Sequence, residues 1–179
     1  MGGRPKTTST KNAVLVNLFE HHKWSNLQII DFCATLTDEQ LALTGPGVYG
    51  NTLDTLKHIV ANEAHYLRFL DGSHQVVGID QRKPFSGWER LQEVALQTGD
   101  ALIAFAGPLD GDPVQRGVNE GVAFAIPTSV FLAQVINHAT EHRSHIRTVL
   151  SSHGIELPES DGWHWLETLP ADGQSSREP

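Results

Sequence analysis

Cysteine is almost absent: Cys33 is the only one in 179 residues. A single cysteine cannot form an internal disulfide or a cysteine-rich zinc framework. Its place in an apolar helical pattern marks it as a small buried hydrophobe of a protein kept in a reducing compartment. Positive charge is also in short supply. Thirteen Lys and Arg against 21 Asp and Glu give a formal charge of −8 with the histidines neutral, which opposes nonspecific association with a nucleic-acid backbone or an anionic membrane. No apolar run approaches the roughly 20 residues of a membrane-spanning helix, and the basic start MGGRPKTTSTK has no apolar centre. MGGRPK also lacks the Ser or Thr that N-myristoylation wants at the sixth position. The expectation is a cytoplasmic protein with neither nucleic acid nor membrane as partner. There is no internal repeat, no phosphate-cradling glycine loop and no Ser-His-Asp order, so a nucleophile would have to be supplied by a bound small molecule.

Histidine, by contrast, is plentiful at ten residues, and the informative pair lies in VINHATEHRSHI, Val135 to Ile146. His138 and His142 are four apart, a spacing that stacks two rings on one helical face. Phe131, Leu132, Val135, Ala139, Ile146, Val149 and Leu150 recur at helical intervals, and their stripe passes through His142 with His138 at its edge. Two imidazoles near a core each need partners for their nitrogens, and one shared metal ion would serve both. Two ligands from one helix cannot close a site, so at least one more is expected from another helix.

Along the chain, residues 1–10 and 170–179 read as unstructured ends around one domain over residues 11–169. A first helix carries Val14, Leu18, Leu27, Ile30 and Phe32 among its apolar positions and should end near Leu36. Thr37-Asp38-Glu39-Gln40 has capping-box form and predicts a short extra turn; LTGPGVYGN then breaks the chain. A second helix is expected from Asn51 or Thr52 to Asp71-Gly72, with Leu53, Leu56, Val60, Ala64 and Leu67 as its core stripe. His58, Asn62, His65 and Phe69 form a second stripe on another face, and Glu63 falls within the apolar side. A carboxylate there needs an arginine, a histidine or a helix N-terminus, or it must be protonated. Ser86-Gly87-Trp88-Glu89 predicts another capping box and a third helix to about Ala106. Glycines and prolines exclude a helix between Gly107 and Pro127, where GVAFAI reads as a short extended segment, and a fourth helix should run from about Thr128 to His153 with Gly154 as its cap. The segment IELPESDGWHWLETL is apolar enough to pack on the rest, its two tryptophans covering the core. His21, His22, His74, His153 and His164 read as surface or packing residues. Four long amphipathic helices, no convincing sheet and a long connection between the third and fourth predict an all-α four-helix bundle. In such a bundle the missing ligand would come from the second helix. Periodicity does not choose between His58 and His65.

The stretches TLKHIVANEAHYLRFLDG around His58 and INHATEHRSHIRTVLSSHG around His138 together resemble the DinB/YfiT-like family, as does the early EHHKWSNLQII. The resemblance runs from about Asn12 to Leu166. It implies a four-helix bundle, often a homodimer, with a divalent metal held by His58, His138 and His142; His65 and His145 do not match ligand positions. Zinc or nickel is the expected ion, although imidazole also suits copper and iron. Family members of known activity are metal-dependent thiol S-transferases or thiol-using isomerases, so the implied function is an S-transferase acting on a small-molecule substrate with a low-molecular-weight thiol. Metal-dependent hydrolysis and a non-enzymatic metal-binding or sensing bundle are the alternatives. His138-Ala-Thr-Glu141-His142 also fits the H-x-x-E-H pattern of a zinc protease with Glu141 as base. Glu141 faces away from the histidine side, however, and such proteases are expected to be larger and to take a downstream carboxylate ligand.

Overall fold

The computed structural model describes residues 12–72 and 76–170. The start over residues 1–10, His74 and residues 171–179 of the tail lie outside the described residues. Four long helices, α1 (Ala13–Cys33), α3 (Thr52–Leu70), α4 (Trp88–Ala106) and α5 (Thr128–Ser152), form a bundle, with a one-turn α2 (Asp38–Leu41) and a short α6 (Gly162–Thr168). α1 lies chiefly on α4, and α3 on α5 and α4, while α1 and α5 close the ring. All seven apolar residues of the α5 stripe are buried. On α3, Leu56, Val60, Ala64 and Leu67 are buried and Leu53 is partly so.

The helix starts follow local chemistry where a side chain can reach the backbone. The Asn51 carboxamide accepts from the Asp54 amide at 2.7 Å, and Thr37 and Gln40 cap each other's amides at the start of α2. At Ser86 the expected box does not form. Gly87 is the N-cap instead, at φ 98° with no side-chain cap, and this turn carries the backbone away from the geometry a serine cap needs. α3 ends on extended Asp71 (φ −139°) and not on a left-handed Gly72, whereas Gly154 beyond α5 does take φ 75°. α1 stops at Cys33, short of Leu36.

Two further expectations are corrected. The connection before α5 holds an antiparallel hairpin, β1 (Val114–Asn119) and β2 (Val122–Pro127), where only the second half read as extended. Its turn is Glu120-Gly121, both with positive φ (51° and 81°), the arrangement whose twist suits a two-residue hairpin loop. The tryptophan segment does not cover the core: no residue of α6 is buried, and Trp163 is 73% exposed. It is Ile155 and Leu157 that pack inward.

The apolar core is divided into two clusters by a polar layer. On α1, Phe19 belongs to one cluster and Ile29, Ile30 and Cys33 to the other; on α3 the division falls between Ala64 and Leu67, and on α5 between Val135 and Ala139. The layer itself contains His22, Asn26, Glu63, Thr98 and His142, all buried. Val14 and Leu18, among the apolar positions of the first helix, are exposed. The inward face of α1 is the one bearing His22, Ser25 and Asn26.

Candidate metal centre

His58 stands on α3, and His138 and His142 stand one turn apart on α5. Because these two helices pack directly against each other, the three rings meet with centroids 5.0 Å (His58 to His138), 4.8 Å (His58 to His142) and 4.5 Å (His138 to His142) apart. One ring nitrogen from each lies within 4.8 Å of the other two. The Nε2 atoms of His58 and His138 are 3.1 Å apart. Two imidazoles sharing an ion at about 2.0–2.1 Å in tetrahedral geometry place their nitrogens roughly 3.3 Å apart, so the set fits a divalent cation.

The surroundings favour the same reading. His58 Nδ1 lies 2.7 Å from the Gln81 Oε1 and 3.0 Å from the Asn62 Nδ2; donation to Gln81, the shorter contact, leaves Nε2 as the lone-pair atom facing His138. Asn62 Nδ2 donates to the His58 carbonyl at 2.9 Å. Burial, and then the nearby His138, His58 and His145, push His142 down to about 4. Burial and His58 likewise lower His138. Both rings are therefore neutral near pH 7, the state in which imidazole can ligate. His138 Nδ1 is buried and has no hydrogen-bond partner, while its Nε2 faces His58 Nε2.

The ring of Tyr49, from the glycine-rich loop before α3, stacks on His58 with centroids 3.9 Å apart and presents its edge to His142 at 5.4 Å. Tyr66 meets His138 edge-on at 5.8 Å. His145 approaches His142 through their Nδ1 atoms at 3.3 Å. His65 takes no part. It accepts from Arg68 at 2.6 Å and packs against Phe69, one face away from the cluster. Glu141 is exposed, and among the described residues no carboxylate joins the three histidines.

Behind the cluster, Glu63 finds its partners in the polar layer. His22 Nε2 donates to Glu63 Oε1 at 2.7 Å and Asn26 Nδ2 to the same oxygen at 2.6 Å. Arg143 Nη1 donates to Asn26 Oδ1 at 2.5 Å. Burial alone would push the Glu63 carboxyl up, but His22, Asn26 and Arg143 together hold it below its ordinary value. The Glu63 charge in turn favours protonation of His138, so network and cluster are electrostatically joined.

His22, read as a surface or packing residue, was recoverable in principle: Glu63 demands a partner, and His22 shares a helical face with Phe19, Asn26 and Ile29. Tyr49 and Gln81 carry no such signal, because both sit outside the helices.

The sequence model of the DinB family matches residues 7–173 of the chain. No curated protein matches it.

Proposed function

Because the chain belongs to the DinB family, we propose that His58, His138 and His142 hold a divalent metal, zinc or nickel, and that the protein is a metal-dependent thiol S-transferase. The observation that carries the metal assignment is the convergence of three imidazole nitrogens from two helices within 4.8 Å, with two of the rings held neutral by their surroundings. When bound by three neutral ligands, such an ion keeps its full charge and leaves a coordinated thiol deprotonated near neutral pH.

The chain's own residues support this chemistry by position. Gln81 fixes the ring and tautomer of His58, and the Tyr49 ring covers His58 and part of His142 against water. Cys33 cannot serve as the sulfur nucleophile, being fully buried and its thiol pushed up to about 12 by burial. A low-molecular-weight thiol is thus the reacting group: its sulfur, having given up its proton to solvent, would bond to an electrophilic carbon of the second substrate as that carbon's bond to its leaving group breaks and the leaving group departs with the electron pair. Location and partners follow the same reading: a cytoplasmic enzyme of small molecules. None of the helices among the described residues is long and apolar enough to cross a membrane.

Elemental analysis of protein purified without an affinity tag tests the site. The expected result is bound metal that is lost in a His138→Ala/His142→Ala variant; equal content in both removes the site. Metal-loaded protein is then given a panel of cellular thiols with a generic electrophile, and esters and amides without thiol. Thiol-dependent turnover abolished by His142→Ala supports the transferase. Thiol-independent hydrolysis replaces it with a hydrolase, and bound metal with no turnover leaves a binding or sensing bundle.

The same reading includes a homodimer. Exposed Val14 and Leu18 on α1, beside an apolar groove lined by Leu15, Leu18, Leu132 and Ile136, supply a surface for it. Light scattering is expected to give twice the chain mass, and a monomer at tens of micromolar removes the dimer.

A further inference from the structure

A groove of about 440 Å³ lies between the inner face of the hairpin and α3, and none of the three clustered histidines lines it. Its floor is aromatic. The rings of Phe69 and Phe124 meet edge-on at 5.2 Å, Phe124 and Phe131 at 5.8 Å, and Phe69 lies over Phe131 at 5.9 Å. Gly117 makes room for this arrangement, since a Cβ there would fall 2.7 Å from the Phe124 ring. Val122 and Ile126 extend the apolar wall, and Tyr66 forms the end nearest the metal centre, its ring also meeting His138.

The rest of the lining is polar. Asn119 and Glu120 line it from the hairpin turn, and His65 from α3. Glu120 is the single non-glycine among the described residues with positive φ, at a turn position where Asn or Gly costs less. The Glu120 carboxylate acts across the groove on His65, favouring its protonated form against the stronger effects of burial and Arg68. Glu120 is the one acidic residue of the lining, and the nearby Arg68 guanidinium stands outside it, hydrogen-bonded to His65 Nδ1 at 2.6 Å. An aromatic floor also attracts a cation, whereas an anionic ligand would be repelled by Glu120 and gain nothing from the rings.

We propose that this groove binds an arylalkylamine, its planar apolar body on the Phe69, Phe124 and Phe131 rings and its ammonium paired with Glu120. Because Tyr66 is shared with the wall of the histidine cluster, the groove lies beside the metal centre; the amine carries no electrophilic carbon and is a ligand there, next to the place where the transferase needs its second substrate. That last step rests on the transferase reading; the binding itself does not.

The test is an NMR titration of the full chain without added metal, following backbone amides, with 2-phenylethylamine as probe and 3-phenylpropionate as its anionic counterpart. The amine is expected to shift the amides of Glu120 to Phe124 and of Phe69. Its affinity should fall about two- to fivefold in Glu120→Gln, as loss of one exposed opposite charge implies, and be unchanged in His142→Ala. Phenylpropionate should leave these amides in place. Equal binding of the two probes, no response to the amine, or an unaltered affinity in Glu120→Gln overturns the proposal. So does a concentration-dependent shift of the same amides without ligand that the amine fails to displace, which marks a second copy of the chain in the groove. Amine binding without thiol-dependent turnover leaves the groove standing and removes the transferase. Turnover without amine binding does the reverse.

Discussion

Replacing Glu63 with alanine leaves His22 and Asn26 without their acceptor and Arg143 without its nearby opposite charge, all inside the polar layer. Removing one partner of a buried charged network costs about 3–5 kcal/mol, and urea unfolding of Glu63→Ala against the parent should show a loss of that size. The sign of the pH effect follows from the direction of the shift. Glu63 is held below its ordinary value in the folded chain, while the unfolded carboxyl titrates near about 4.3. Its contribution is fully present above the unfolded value and is lost as pH falls through the lower folded one. The stability difference between the parent and Glu63→Gln should accordingly be flat above about pH 5.5 and shrink on further acidification. Cys33 provides an independent check on burial. With its thiol pushed up to about 12, native protein should react with iodoacetamide at mildly alkaline pH only as fast as it unfolds, and urea should raise the rate sharply.

Among the elements, the hairpin is the one whose sequence works against its own conformation. Glu120 takes φ 51°, which glycine adopts without the steric cost borne by a side chain. Glu120→Gly should raise the unfolding free energy by on the order of 1 kcal/mol, measurable by urea titration together with slower amide exchange in β1 and β2. The same substitution removes the carboxylate from the aromatic groove, so stability and amine affinity should move in opposite directions. The hairpin was half legible in the sequence. GVAFAI shows an extended pattern, but VQRGVN mixes polar and apolar residues with a central glycine. What makes it a strand is pairing: Gly117 opposite Phe124 and Val118 opposite Ala123. The helix starts differ in the same way. Asn51 caps α3 through a local contact and was readable, whereas the Ser86 motif fails because Gly87 turns the chain first.

For the whole molecule, metal and folding should be linked. An ion held by residues of both α3 and α5 binds the packed bundle and not the unfolded chain, so it stabilises by about 2.7 kcal/mol at a hundredfold excess over Kd. Added zinc should raise the thermal midpoint of the parent, EDTA should reverse the gain, and His138→Ala/His142→Ala should show no response. A shift of equal size in the double variant would place the ion elsewhere.

The four long helices, the inward stripes of α3 and α5 and the stacking of His138 above His142 were all legible in the order of residues, because helical periodicity is a local property of 3.6 residues per turn. The sequence also required a partner for Glu63 without saying which. The family resemblance, not the periodicity, singled out His58, whose face stood off the main leucine stripe. It took the packed bundle to bring His22 and Asn26, buried on α1 between Phe19 and Ile29, against Glu63. Only the tertiary structure decided that Tyr49 and Gln81 reach His58 from loops on either side of α3. The physical reason is common to these cases. Hydrophobic periodicity reports which residues leave water for apolar surroundings, whereas a buried polar group is stabilised by a particular distant partner, and that pairing exists only once the helices have packed.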